Sequence, residues 1–259
     1  MISVPLQIRC VSLGAAALAL GACAAGPHEQ SPTKKKTMDA VTYFTDPKQI
    51  AMANAVKNDD VGRIKELARG GVNVNAPGEQ GMTYVVWAMG HRRKNALRAL
   101  LVAGADPNGT DTAGTPVMEL AARDEDTDYL RLLLSAGGKP NTLNHSGEPL
   151  TFTAIGEMRW ENMRVLVEKG ADMNARGKDG STAMLLLAGL NQFEEVDWLL
   201  QRGADIKPAT DTGATLAWQV QRSRVDPSFP QAGWRDRVKA QLAARGVRFP
   251  VPAPGAGKP

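Results

Sequence analysis

Three histidines are the residues of this chain best suited to bind a metal ion or to act as a general base. His28 lies in a polar N-terminal stretch, His91 near the end of a predicted helix and His145 in a predicted turn. No two of them have the spacing that places two ligands on one helix face. The chain also lacks a Gly-x-Ser-x-Gly sequence, a phosphate-binding loop and a dinucleotide-binding glycine pattern. We therefore predict no catalytic residues, no metal site and no cofactor.

A run of acidic residues, Asp124-Glu125-Asp126 followed by Asp128, offers carboxylates that could bind a cation. The run lacks the alternating spacing and the glycine of a calcium-binding loop. It lies where a predicted turn joins two helices, and the helix dipole favours acidic residues at a helix start. We interpret the run as a solvent-exposed helix start rather than a metal site.

The N-terminus contains both cysteines of the chain. Arg9 is followed by an apolar run of eleven residues, from Cys10 to Leu20, and then by small residues up to Cys23. This arrangement is typical of a secretory signal peptide, and it is too short to span a bilayer as a helix. Once the signal is removed, no pair of cysteines is left for a disulfide, so stability must come from buried apolar residues.

The sequence Leu20-Gly21-Ala22-Cys23 resembles the lipobox of bacterial lipoproteins. This resemblance implies that residues 1–22 are a signal peptide and that acylated Cys23 anchors the chain stably to a membrane. Ala24, rather than Asp, follows the anchor, which resembles the sorting signal for the outer membrane. We expect residues 23–44 to form a flexible tether and the protein to lie in the bacterial cell envelope, on the outer membrane facing the periplasm.

Two series of glycines recur with a period of 33 residues. The first series is Gly71, Gly104, Gly137, Gly170 and Gly203, and the second is Gly81, Gly114, Gly147, Gly180 and Gly213. Each glycine of the first series closes a run of apolar residues, where a helix end favours a residue that tolerates left-handed backbone. A period of this length is typical of a solenoid of stacked repeats, which exposes an extended surface for binding.

Apolar residues recur with the same period and predict two helices in each repeat. Small residues mark a first helix, at Ala55, Ala88, Ala121 and Ala154, although Leu187 breaks the series. A second helix has one apolar face that includes Ile64, Leu97, Leu130, Met163 and Val196. Each repeat is therefore predicted to be a helix, a tight turn, a second helix and a polar turn.

These residues resemble the ankyrin repeat, which typically starts with Thr-Pro-Leu-His and ends with Gly-Ala-Asp-x-Asn. The end occurs at residues 104–108 and 170–174, and the Thr position holds Thr83, Thr182 and Thr215. No repeat has the usual His, which puts in question the hydrogen bonds that this His makes to the neighbouring turn. The resemblance implies an all-α ankyrin-repeat solenoid of about six helix-turn-helix repeats.

The resemblance covers about residues 45–250. The predicted repeats are 45–77, 78–110, 111–143, 144–176, 177–209 and 210–250. In the last repeat, residues 226–233 contain two prolines and a glycine, and we predict an insertion between the two helices. It is either a capping loop or a partner-binding loop that carries Phe229 and Trp234. The Pro-rich residues 251–259 are predicted to be a disordered tail.

Ankyrin geometry places the turn tips and the exposed end of each first helix on a concave face. The resemblance therefore implies protein-binding roles for Glu79, Gln80, Met82, His91, Thr112, Arg123, Asp124, His145, Glu148, Glu157, Lys178, Asp179 and Arg222. We add Trp160, at the start of a second helix, as a candidate binding residue. Three further tryptophans are predicted to pack in the core, namely Trp87, Trp198 and Trp218. The sequence Arg92-Arg93-Lys94 is interpreted as a solvent-exposed turn rather than as a partner-facing one.

Charge argues for a protein partner rather than a polyanion. The 31 basic and 27 acidic residues give a formal net charge of +4, and both signs are spread along the chain. This distribution lacks the basic footprint of a nucleic-acid-binding protein. We predict a monomer that binds a protein on its concave face and a membrane through Cys23.

Two functions are compatible with such an envelope lipoprotein. Lipoproteins with ankyrin repeats resemble immunity proteins, which bind and inhibit a secreted antibacterial effector such as a phospholipase. The alternative is a periplasmic scaffold, or a protective partner of a resident envelope protein in stress defence. The sequence leaves both functions open.

Overall fold

The computed structural model describes residues 39–255. The predicted signal peptide, the anchor residue Cys23 and most of the predicted tether lie outside the described residues. In the part of the chain that is described, no helix combines the length and the apolar character needed to cross a bilayer.

Residues 39–255 form thirteen α-helices, and their only β pairing consists of isolated bridges. The helices are α1 (Ala40–Tyr43), α2 (Pro47–Lys57), α3 (Val61–Arg69), α4 (Tyr84–Gly90), α5 (Lys94–Val102), α6 (Val117–Arg123), α7 (Thr127–Ser135), α8 (Leu150–Gly156), α9 (Trp160–Glu168), α10 (Ala183–Gly189), α11 (Phe193–Gln201), α12 (Leu216–Arg222) and α13 (Pro230–Ala244).

From α2 onwards the helices form six successive pairs. The first helix of a pair packs on the first helix of the next pair, as α6 packs on α8, and the second helices do the same, as α7 packs on α9. The predicted all-α solenoid of about six helix-turn-helix repeats is therefore confirmed. We call the exposed side of α4, α6, α8, α10 and α12, together with the turns that precede them, the first-helix surface.

The residues that recur every 33 positions form the core. The alanines of the first helices and the apolar set of the second helices are all buried. Each glycine of the first series has a φ between +87° and +96°, so the predicted left-handed helix end is confirmed at every one of them.

Asparagines link each of the first four repeats to the next. Asn141 Oδ1 accepts a hydrogen bond from the main-chain N–H of Asp172 at 2.8 Å, and its Nδ2 donates to Gly170 O at 2.9 Å. Asn75 makes the same pair of contacts to the following repeat. Lys207 stands at the equivalent position of the fifth repeat and has no amide with which to continue the series.

Replacing Asn141 by Ala is expected to lower the free energy of unfolding by about 1–2 kcal/mol, because two neutral hydrogen bonds between repeats are lost. The comparison variant is Lys207→Ala, which should stay within about 0.5 kcal/mol of the unchanged protein. Urea unfolding followed by circular dichroism measures both values. An equal loss in the two variants would show that the asparagines do not couple the repeats.

The end of the predicted tether is part of the folded domain. The Phe44 side chain is fully buried, stacks on the Tyr84 ring at 4.9 Å between centroids and meets the Trp87 ring edge-on at 5.7 Å. The short helix α1 precedes it, and Ala40 is buried as well. The prediction of a flexible tether up to residue 44 is therefore wrong for residues 40–44. These residues cover the apolar surface of the first two repeats.

The predicted insertion in the last repeat is partly helical. Helix α12 ends at Arg222, whereas α13 starts at Pro230 and includes Gly233. Proline is compatible with the first position of a helix, because the N–H that it lacks would have no partner there. The loop between the helices is therefore limited to residues 223–229. Within α13, Gln231 Oε1 accepts a hydrogen bond from Phe193 N at 2.7 Å and so caps α11.

The start of the predicted disordered tail contacts α12. Val251 N donates to Gln221 Oε1 at 2.7 Å, and Gln221 Nε2 donates to Val251 O at 3.0 Å. The prediction of disorder therefore does not hold at Val251. Residues 256–259 of that tail lie outside the described residues.

Candidate partner-binding surface

A groove lies beside Gly90 on the first-helix surface. It has a volume of about 490 Å³, with an apolar floor that includes Val86, Met89 and Leu120. Charged residues at the rim include Arg92 and Arg123. The last residue of α4 is exposed and has no side chain, which leaves room for a group from a partner.

A second groove lies at the equivalent position between the fifth and sixth repeats. It has a volume of about 560 Å³ beside Gly189 and is bounded by Trp218, Arg222 and Arg224. Neither arginine makes an ion pair with any residue of the described chain. This groove therefore combines an aromatic ring with two available positive charges.

Between the two grooves, a buried carboxylate joins the third and fourth repeats. Glu119 is 1% exposed and accepts a hydrogen bond from His145 N at 2.7 Å. The His145 ring places Nδ1 2.7 Å from the same carboxylate, and the Arg123 guanidinium forms an ion pair with it. Three donors therefore converge on one acid.

Burial alone would raise the pKa of Glu119. The hydrogen bonds from the main chain and the ring of His145, together with the bond from Arg123, outweigh this effect and hold the pKa below its ordinary value. Glu119 is therefore ionised at neutral pH, and it fixes the positions of Arg123 and His145 on the first-helix surface.

Glu119 occupies the place of the usual ankyrin His, three residues after the position of the Thr. Its bond to His145 N reaches the neighbouring turn. A carboxylate thus makes, between the third and fourth repeats, the hydrogen bond to the neighbouring turn that the usual His would make. Val86 and Phe152 stand at the same position in adjacent repeats, and neither side chain can make such a bond.

The acidic run is less solvated than predicted. Asp126 caps the start of α7, as expected, by accepting a bond from Asp128 N. Asp124, however, is paired with Arg92 of the preceding repeat, and Asp126 lies 3.0 Å from Lys94. The acidic run and the predicted solvent-exposed turn at residues 92–94 therefore form one network of ion pairs across two repeats.

The ion pairs keep these side chains charged. The hydrogen bond from Lys94 lowers the pKa of Asp126, and the hydrogen bond to Asp124 raises the pKa of Arg92. No group of three or more His, Cys, Asp or Glu residues between 39 and 255 is arranged to hold a metal ion. The network thus presents fixed charges of both signs.

Asn162 is a residue of this region that sequence reasoning missed. Its buried side chain donates from Nδ2 to Asp124 O at 2.7 Å and to Ala122 O at 3.0 Å. It therefore holds the end of α6 and the turn that carries the acids. Ala96 and Tyr129 occupy the same position in the two preceding repeats, so the repeat pattern gives no signal for an amide here.

Trp160 lies at the edge of a third groove, of about 490 Å³, which is also lined by Asp124, Glu125 and Arg164. The indole is half-buried. The structure thus groups four of the predicted binding residues around Glu119 and the acidic run, namely Arg123, Asp124, His145 and Trp160.

The other predicted binding residues are spread along the solenoid. Seven are exposed, namely Glu79, Gln80, Thr112, Glu157, Lys178, Asp179 and Arg222. Glu148 is half-buried and accepts a hydrogen bond from Lys178 N at 3.2 Å, which joins two turn tips. Met82 is buried in the core, so its predicted contact role is wrong. The main chain of this turn is exposed, but the Met82 side chain points inward.

His91 is also turned toward the interior. Its ring centroid lies 4.4 Å from that of Trp87. Burial, together with the charges of Lys57 and Arg93, lowers the pKa of His91, so the ring is neutral at neutral pH. Trp87 is fully buried, as predicted, whereas Trp198 and Trp218 are only half-buried.

Comparisons with known proteins agree with this geometry. The model for ankyrin repeats in three copies matches residues 117–210. No curated protein sequence matches the chain significantly.

Several solved structures are similar to the chain. An ankyrin repeat domain from Acinetobacter baumannii AYE is 25% identical, with a TM-score of 0.63, over 76% of this chain and 98% of that domain. The ankyrin repeat protein EF0377 is 22% identical, with a TM-score of 0.58, over 74% of this chain and 96% of its own. The ankyrin repeat domain of Bcl-3, a member of the IkappaB protein family, is 24% identical, with a TM-score of 0.56, over 72% and 90% of the two chains.

Proposed function

We propose that this ankyrin-repeat solenoid, a protein-protein interaction module by its fold, binds and inhibits a secreted antibacterial effector while Cys23 anchors it to a bacterial membrane. A phospholipase is the kind of effector that best suits a membrane-anchored inhibitor, because such an enzyme acts where the inhibitor is held. The lipobox supports the anchor, and the similar domain from Acinetobacter baumannii is bacterial.

The observation that carries the binding proposal is the network around Glu119 and Asp124. Their ion pairs to Arg123 and Arg92 hold charged side chains beside the groove at Gly90. A surface whose side chains are already fixed loses less conformational entropy on binding than a mobile one. Apolar grooves next to fixed charges of both signs suit a folded protein partner.

The partner is identified by affinity capture. The full chain with a C-terminal tag is expressed in the native organism, captured from envelope and secreted fractions, and its partners are identified by mass spectrometry. We expect one secreted hydrolase whose toxicity the chain suppresses when the two are co-expressed. Capture of a resident envelope enzyme would instead support the scaffold function. Capture of no protein above background would contradict the binding proposal itself.

The Cys23→Ala variant tests the anchor separately. We expect the unchanged chain to fractionate with membranes and to carry acyl chains detectable by mass spectrometry, and the variant to lose both properties. Capture of the partner in detergent extracts should be the same for both chains, because the anchor is not part of the binding surface. Membrane association that survives in the variant would contradict acylation at Cys23.

Arg222→Glu is expected to weaken the captured complex at least about tenfold, because a desolvated charge at an interface contributes strongly to binding. Arg222 borders the groove at Gly189, and no acid between residues 39 and 255 forms an ion pair with it that reversal would disturb. The matched variant is Lys169→Glu, which makes the same charge change at the exposed end of α9. Titration calorimetry with the purified partner measures both affinities, and equal effects would exclude this groove from the interface.

A further inference from the structure

The second helices change charge along the solenoid. Helices α3 and α5 carry five cations, Arg63, Lys65, Arg69, Lys94 and Arg98, against one acid, Glu66. Helices α9 and α11 carry five acids, Glu161, Glu168, Glu194, Glu195 and Asp197, against one cation, Arg164. The positive end belongs to the first two repeats, which are the repeats nearest to Cys23 in the sequence.

A row of four cations shows why only the first two repeats are positive. Lys65, Arg98, Arg131 and Arg164 occupy the same position of successive second helices. The two later cations are neutralised by an acid on the second helix of the next repeat, because Arg131 pairs with Glu161 and Arg164 with Glu194.

The two earlier cations lack such an acid. Lys65 lies on α3, and the position of α5 that is equivalent to Glu161 of α9 holds Asn95, which carries no charge. The corresponding residue opposite Arg98 is Asp128, which is already bound to Lys94 at 2.7 Å. Neither Lys65 nor Arg98 makes an ion pair with another residue between 39 and 255.

An exposed apolar side chain lies among these cations. Val102 is 79% exposed and stands at the same repeat position as Arg69 on the preceding helix. A shallow hollow of about 270 Å³ beside it is lined by Val61, Lys65, Asn95, Arg98, Ala99 and Val102. We call Lys65, Arg69, Arg98 and Val102 the basic patch.

We propose that the basic patch lies against the membrane that holds the anchor and binds the headgroups of anionic phospholipids. Each basic residue near an anionic membrane surface strengthens binding about fivefold. Val102 can enter the interfacial region between the headgroups, where an apolar side chain is favoured. The proposal rests on the proposed anchoring in one respect, which is that acylated Cys23 would hold the chain beside a membrane.

The length of chain outside the structure supports this choice of partner. Fifteen residues, 24–38, separate Cys23 from the first described residue. In any conformation a segment of that length spans at most about 50–54 Å, from about 3.3–3.6 Å per residue. The first two repeats are thus held within reach of the headgroups, and the acids of α9 and α11 would be repelled. The first-helix surface lies on the other helices and stays available to a protein partner.

A second copy of the chain is a poorer fit to the basic patch. The acidic helices α9 and α11 would have to supply the complementary surface. Glu161 and Glu195 are already paired there with Arg131 and Arg164, at 2.7 Å for the latter pair. Phospholipid headgroups have no such competing partner.

Vesicle binding tests the proposal without the anchor. The protein is residues 24–259, which keeps every residue of the described fold, 39–255. Vesicles of phosphatidylcholine alone are compared with vesicles that also contain phosphatidylglycerol, and bound protein is measured by sedimentation. We expect binding only to the anionic vesicles. Raising the salt from about 0.1 M to about 1 M should abolish it, because the screening length falls from about 10 Å to about 3 Å.

A pair of triple variants locates the contact. Lys65→Gln, Arg69→Gln and Arg98→Gln together are expected to lower the partition coefficient about a hundredfold. The matched control removes three exposed arginines of the last repeat, through Arg222→Gln, Arg224→Gln and Arg248→Gln, and should change it less than about fivefold.

Three results would overturn the proposal. They are the absence of binding to anionic vesicles, an equal loss in both triple variants, and concentration-dependent oligomers that only the basic-patch variant dissolves. The last result would assign the patch to a second copy of the chain. The assay contains no acylated protein, so a failure of Cys23 acylation would not affect it.

Discussion

Replacing Phe44 by Ala is expected to lower the free energy of unfolding by about 3–5 kcal/mol, which is the range for truncating a buried aromatic side chain. Phe44 is fully buried, although it precedes the first recognisable repeat. Its ring contacts Tyr84 and Trp87 of the second repeat. The loss combines the apolar area returned to water with a cavity at the end of the solenoid.

The surroundings of Phe44 limit how far that cavity can collapse. Trp87 Nε1 donates to Ala53 O at 2.9 Å, which fixes the indole on the first helix of the first repeat. The Tyr84 hydroxyl donates to Gln49 O at 3.4 Å on the same helix. Both rings are held by polar contacts that a shift into the cavity would break, so we expect a cost in the upper part of the range.

Urea unfolding monitored by tryptophan fluorescence measures the loss. Phe229→Ala is the matched control, because it removes the same side chain where it is 63% exposed, and it should change stability by less than about 0.5 kcal/mol. A loss near the control value for Phe44→Ala would mean that the first repeat does not need its N-terminal cover.

The repeat register made most of the fold predictable. A position that recurs every 33 residues is sampled several times, so one departure, such as Leu187 in the alanine series, does not hide the pattern. The glycines and the buried apolar residues follow from backbone and packing requirements that every repeat shares. The sequence therefore predicted both the helix pairs and the direction of their buried faces.

Residues that serve only one repeat could not be predicted in the same way. Phe44 has no counterpart with which to be aligned, and Pro230 begins a helix only because it stands at the first helical position. Glu119 replaces an apolar residue at its position of the register, and Asn162 stands where the two preceding repeats hold Ala96 and Tyr129. Their partners in the neighbouring repeat lie 26 to 40 residues away in the sequence, so the contacts become visible only when the repeats are stacked.

Glu119→Gln is expected to lower the free energy of unfolding at neutral pH by about 2–4 kcal/mol, because bonds from charged or polar donors to a buried carboxylate are stronger than those to an amide. The variant keeps the size of the side chain but removes its charge. Arg123 then loses its acid, and one end of the amide presents N–H groups toward donors. His145 N can still donate to the amide oxygen, so the repeats should stay folded.

Acid should reduce the difference between the two proteins. The pKa of Glu119 in the folded state lies below its value in the unfolded chain, which is about 4.3. Between these two values the unfolded chain binds more protons, so stability rises with pH. The contribution of the ionised carboxylate is complete above the unfolded pKa and is lost as the pH falls through the folded pKa. The unchanged protein should therefore approach the stability of Glu119→Gln in acid.

Urea unfolding at neutral pH and at a series of acidic pH values distinguishes this effect from general acid sensitivity. Glu157→Gln removes one exposed carboxylate and should follow the unchanged protein at every pH. If the difference in stability between Glu119→Gln and the unchanged protein stayed constant as the pH fell, ionisation of Glu119 would not be its cause.

The Glu119→Gln variant should also weaken partner capture, because Glu119 fixes Arg123 and His145 on the first-helix surface. Unchanged capture together with lowered stability would confine Glu119 to a structural role.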